Sequence, residues 1–198
     1  VTNFYGLKTT TSDSCEVSNA IDVVRGSFDV NATDDKGVLA GYVVGVKLAS
    51  ALDSGVNQPS AENLRVPSNT AQITKVTAKY TWRSEEKAAT TLSLADRTFP
   101  VSAIVPPGGN ATFPVQIFSN LDSTALKKAK SGILSVELTF FGTLADGSDI
   151  SSTPATFAIA VCADCIQNTC KVTQEERFPC GAAAAGQPDG RVCVDVAQ

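Results

Sequence analysis

Leu134-Ser135-Val136-Glu137-Leu138-Thr139-Phe140 decides the fold: large apolar residues alternate with small or polar ones, and Ala145-Asp146-Gly147-Ser148 then interrupts the run. A period of two puts Leu134, Val136, Leu138 and Phe140 on one face of an extended chain, the mark of a half-buried strand. Asp-Gly between two alternating runs predicts a hairpin turn. Working outward, the same period recurs at Phe157/Ile159/Val161, Phe113/Val115/Ile117 and Phe99/Val101/Ala103/Val105. It recurs again at Val76/Ala78/Tyr80/Trp82, Tyr42/Val44/Val46/Leu48 and Phe28/Val30/Ala32, where Ser27, Asp29 and Asn31 take the polar face. Turn signals such as Asp35-Lys36-Gly37 and Pro106-Pro107-Gly108-Gly109-Asn110 separate the runs. The pattern predicts an all-β, antiparallel Ig-like sandwich of seven or eight strands. The one helical candidate is Leu121 to Lys130, capped by Asp122 or Ser123 and ended by Gly132. Trp82 lies on an inward-facing pattern and reads as core rather than as a carbohydrate platform.

The composition narrows the function classes. A chain of 198 residues suits one domain with an appendage. Lys+Arg total 16 against Asp+Glu 20, so no basic surface is expected for nucleic acid. No apolar run approaches the roughly 20 residues of a membrane-spanning helix. With no His, the usual general base and the commonest metal ligand are missing. No Ser lies in a Gly-x-Ser-x-Gly elbow. Ser84-Glu85-Glu86-Lys87 and Glu175-Glu176-Arg177 read as solvated charge. Asp34-Asp35 and Asp146-Gly147-Ser148-Asp149 fit weak calcium binding and turn chemistry equally well, and no EF-hand pattern is present. The expectation is a protein without enzymatic activity, cofactor or metal.

Cys15, Cys162, Cys165, Cys170, Cys180 and Cys193 form an even set, five of them crowded into a C-terminal appendage over residues 162–198. An even count without His favours structural disulfides and hence an extracellular or cell-surface location. If all six pair, at least one bridge must leave the cluster, and only Cys15 is available to take it. Fifteen connectivities are formally open. A bridge from Cys15 closes a loop of roughly 150 residues and stabilises by about 4–5 kcal/mol in the chain-entropy model. The rival readings are a four-thiolate zinc site from Cys162, Cys165, Cys170 and Cys180 and redox chemistry at Cys162-Ala163-Asp164-Cys165, which in its thioredoxin-like form needs a βαβ context that the sequence does not show. The start at Val1 rather than Met is what removal of a signal peptide leaves. Asn31-Ala32-Thr33 and Asn110-Ala111-Thr112 match the glycosylation acceptor pattern.

Residues 26–166 carry a resemblance. Gly26-Ser-Phe-Asp-Val30, Gly41-Tyr-Val-Val-Gly-Val-Lys-Leu48 and Ile73-Thr-Lys-Val-Thr-Ala-Lys-Tyr80, followed by Val105-Pro-Pro-Gly-Gly109 and Val161-Cys-Ala-Asp-Cys-Ile166, resemble secreted proteins and lipoproteins of myxobacterial type. That resemblance implies a sandwich fold and a cell-envelope or extracellular location, and no activity comes with it. Ser14-Cys15-Glu16-Val17 resembles the first strand of pilin-like domains, which are assembled by strand donation.

The chain thus divides into an N-terminal arm at 1–14, a sandwich at 15–161 and the appendage at 162–198. The expected function is a structural subunit of a surface fibre or layer. In that reading copies of the chain assemble by strand addition, with Val1, Phe4, Tyr5 and Leu7 of the arm entering a neighbour. Deleting residues 1–12 is then expected to leave a folded monomer. The alternative is a monomeric cell-envelope module presenting loops, such as residues 53–70, to glycan or protein.

Overall fold

Alternation becomes strand wherever one face of a run has an apolar partner to meet. In the computed structural model, which describes residues 1–9, 15–33, 37–52, 69–85, 92–129, 131–166, 170–171, 174–177 and 192–195, twelve strands and one short helix follow from it. They are β1 (Asn3–Thr9), β2 (Cys15–Asp22), β3 (Arg25–Asp29), β4 (Tyr42–Ala49), β5 (Ala71–Ser84), β6 (Arg97–Val105) and β7 (Asn110–Phe118). Then come α1 (Asn120–Ala129), β8 (Gly132–Leu144), β9 (Asp149–Ser151), β10 (Ala155–Cys162), β11 (Gln174–Arg177) and β12 (Val192–Asp195). Each strongly alternating run of the sequence lies in a strand except Phe28/Val30/Ala32, of which β3 holds Phe28 and ends at Asp29. The strands that alternation did not mark, β2, β9 and β11, are short or carry few large apolar residues.

Two sheets share one core. The first has the order β2-β1-β4-β7; the second runs β3-β10-β8-β5-β6, with β9 added to the far end of β8. β11 and β12 pair separately. Val44, Val46, Val115 and Ile117 of the first sheet join Val76, Leu134, Val136, Leu138 and Ile159 of the second in one apolar cluster. Aromatic rings fasten the two layers: Phe113 meets Phe140 edge-on at 5.9 Å, and Phe28 meets Phe118 at 4.8 Å. Trp82 packs against the same cluster, as its place in the alternation suggested. The chain changes sheet at β2–β3, β3–β4, β4–β5, β6–β7 and β7–β8; the β2–β3 and β6–β7 crossings join edge strands of the two sheets. One pairing departs from the antiparallel expectation, because β3 runs parallel to β10.

Local chemistry sets the ends of these elements. Ser119 caps α1, and Asp122 three residues later reaches back, its Oδ2 accepting from Ser119 N at 3.0 Å and from Ser119 Oγ at 2.9 Å. Arg97 of β6 donates to Asp122 Oδ1 through Nε at 3.0 Å and Nη2 at 2.7 Å, which ties the helix to the second sheet. Tyr80 donates to Ile117 O at 2.6 Å, and burial, reinforced by the Asp122 charge, pushes its phenol above the ordinary tyrosine range. At the β8–β9 turn Gly147 takes φ +89°, a conformation that glycine adopts without strain. Asp146 Oδ1 there accepts from Ser148 N at 2.9 Å and Oγ at 2.6 Å, which holds its carboxyl below the usual range. Turn chemistry therefore occupies this carboxylate.

Gly45 is required by packing. It faces away from the core, opposite Tyr5, and a Cβ there would meet Val17 Cγ1 and lie 3.0 Å from Tyr5 Cβ. Its bare backbone leaves room for a second apolar layer on the outside of the first sheet. We expect Gly45→Ala to lower stability by about 1–3 kcal/mol through overpacking, read as a lower urea midpoint at unchanged m-value. A midpoint equal to wild type would show that this outer layer is loosely packed.

Several sequence expectations fall outside the described residues: Asp34-Asp35, the loop core at 53–68, Glu86-Lys87 and Cys180. The side chain of Cys15 lies outside them as well.

Candidate functional site

The N-terminal arm is a strand of the chain's own first sheet. β1 pairs with β2 on one side and with β4 on the other, Phe4 opposite Val46 and Tyr5 opposite Gly45. Phe4 turns inward to Phe157 of β10 at 4.8 Å between ring centroids. Tyr5 and Leu7 are buried on the opposite face, outside the main cluster. The pairing shifts register between Tyr5, opposite Asp22, and Leu7, opposite Val17, so the irregularity lies in β2 between Val17 and Asp22. Both faces of β1 are therefore covered, which is why its alternation is weak in the sequence. β1 is thus an interior strand of the first sheet, between β2 and β4.

Val1 lies at one end of this arrangement, and partial burial lowers the affinity of its amino group for a proton. It lines an open, mainly apolar groove of about 300 Å³ together with Leu48, Leu52, Ile73, Phe140 and Ile150. The groove sits where β4 ends, β5 begins and β9 adds to β8. Among its apolar side chains Leu52 is exposed and Ile150 only partly buried.

The cysteine loop holds the densest polar geometry of the chain. β10 ends at Cys162, in register with Asp29 at the end of β3. The Asp29 side chain, expected on a polar face, is 4% exposed. A buried carboxylate costs several kcal/mol unless hydrogen bonds replace its water. Here three backbone amides do so: Oδ1 accepts from Asn31 N at 2.9 Å and Asp164 N at 3.0 Å, and Oδ2 from Ile166 N at 3.2 Å. Val30 N donates to Cys162 O at 2.9 Å, and Asn31 Nδ2 to Asp164 Oδ1 at 3.0 Å. Asp164 takes a left-handed φ of +55°, which aims its N–H at Asp29. The only hint in the sequence is Asp29 two residues before Asn31, a spacing at which a carboxylate can bond the backbone ahead of it.

Around this carboxylate the chain closes the Cys162–Cys165 disulfide, with Cα atoms 5.8 Å apart. A second bridge, Cys170–Cys193 with Cα atoms 5.4 Å apart, ties Cys170, four residues ahead of β11, to β12. Three of the four thiolates of the zinc alternative are thus bonded to sulfur, and that alternative falls. The two bridges leave Cys15 and Cys180 as the remaining cysteines of the set. Of the acidic pairs singled out in the sequence, Glu175 is engaged by Arg177 at 2.6 Å.

No helix among the described residues is long and apolar enough to cross a membrane. Comparisons with protein-family models, with curated proteins and with solved structures give no match for this chain.

Proposed function

We propose that the protein is a non-enzymatic, extracellular Ig-like β-sandwich module that works as a monomer, binding glycan or protein through the loop end that carries the apolar groove. The Ig-like assignment is supported by two facing, mostly antiparallel sheets around one core. Two disulfides fit an oxidising compartment. The observation that carries the functional reading is β1 itself. Hydrogen bonds on both edges and burial on both faces hold it in its own chain, which leaves Phe4, Tyr5 and Leu7 committed at home.

The fibre reading keeps one observation. Val24, between β2 and β3, is 90% exposed, and the fibre reading would need the junction there to act as the hinge about which the β1–β2 hairpin swings into a neighbour. Fibre growth would then be an exchange of a whole hairpin rather than donation of a free arm.

Glycan and secreted-protein arrays probed with the chain and with its Leu52→Asp and Ile150→Lys variants test the proposal. We expect a hit whose affinity falls at least about tenfold in both variants, the loss of roughly 1.4 kcal/mol per decade. A ligand that binds both variants as tightly as wild type would move the site away from the groove.

A further inference from the structure

We propose that Cys162–Cys165 is a thiol–disulfide exchange site that accepts electrons from an external dithiol, while Cys170–Cys193 serves as a staple. Three observations converge on it. First, Cys165 is exposed and Cys162 half-buried, so an attacking sulfur reaches Cys165 Sγ from solvent. Second, the loop does not depend on its disulfide for shape. The Asp29 carboxylate holds the amides of Asp164 and Ile166, and the Asn31 side chain holds Asp164 Oδ1, so the two sulfurs stay near each other after reduction. Third, Cys162 Sγ lies 3.4 Å from Phe28 O, an acceptor already placed for the S–H that reduction creates.

The exchange balances as follows. One thiolate of the dithiol attacks Cys165 Sγ; a mixed disulfide forms, the Cys162–Cys165 bond breaks, and its electron pair leaves on Cys162 Sγ. Cys162 takes a proton and donates it toward Phe28 O. The second thiolate of the dithiol then attacks its own sulfur in the mixed disulfide, closing a cyclic disulfide and expelling Cys165 as a thiolate that is protonated in turn. The dithiol loses two electrons and two protons, and the loop gains both. Cys162–Cys165 bridges residues only 3 apart in sequence, against 23 for Cys170–Cys193. A short closed loop contributes less chain-entropy stability than a long one, so opening it leaves the fold in place.

Graded dithiothreitol under native conditions, followed by alkylation and peptide mass spectrometry, tests this. We expect Cys162 and Cys165 to be labelled on the order of tenfold faster than Cys170 and Cys193, with a cooperative melt retained. Re-oxidation with glutathione disulfide should restore the bridge. A Cys162→Ala/Cys165→Ala variant provides the second reading and should fold, with Cys170 and Cys193 still protected. Equal or slower labelling of the Cys162–Cys165 pair, labelling only after unfolding, or a double variant that fails to fold would each overturn the proposal.

Discussion

Removing residues 1–9 should abolish cooperative folding. β1 stands between β2 and β4, so its loss strips the hydrogen-bonding edge from both neighbours at once. It also withdraws Phe4 from Phe157 and uncovers the space filled by Tyr5 and Leu7. Truncating a single buried leucine such as Leu7 to alanine costs about 2–5 kcal/mol. A domain of this size has only about 5–15 kcal/mol in total, and a whole interior strand removes several such contributions together. Circular dichroism of the truncated chain should show no sigmoidal urea transition, whereas Leu7→Ala should remain folded with a lowered midpoint. This reverses the outcome expected from the sequence, where the arm was read as dispensable. A truncated chain that melts like wild type would restore that earlier view.

Asp29→Ala should be the most damaging single polar substitution in the chain. It leaves the amides of Asn31, Asp164 and Ile166 without their acceptor. An orphaned group costs about 1–3 kcal/mol; because water reaches part of the loop, we expect a total of about 3–5 kcal/mol in urea unfolding. Asp29→Asn separates charge from shape. Its Oδ1 still accepts two amides, but its Nδ2 then faces a donor at Ile166, and the expected loss is roughly half as large. Equal losses for Ala and Asn would mean that the negative charge, rather than the pattern of acceptors, holds the loop.

Most of the architecture was legible because alternation is a direct image of one-sided burial. Leu134 to Phe140 reads as a strand for the same reason that it is one: Leu134, Val136, Leu138 and Phe140 all enter the shared core. β1 was harder to read because Phe4 and Tyr5 are covered on opposite faces, and two-sided burial erases the period. The parallel β3–β10 pair left no trace, since pairing direction depends on where the chain crosses between sheets and not on local pattern. Asp29 was misread for a related reason: one polar residue in an alternating run looks like the wet face, and only the returning loop at Asp164 and Ile166 makes it an interior acceptor. The cysteines announced their chemistry by count, but their partners were set by three-dimensional proximity.

Sedimentation equilibrium of the purified chain over a wide concentration range tests the central claim most directly, that β1 belongs to its own chain and the module acts as a monomer. The account predicts a single species at the chain mass of 20.6 kDa at every concentration. A mass that climbs with concentration into long oligomers, and that collapses when the β1–β2 hairpin is cross-linked to its own β4, would contradict it and establish strand exchange between copies.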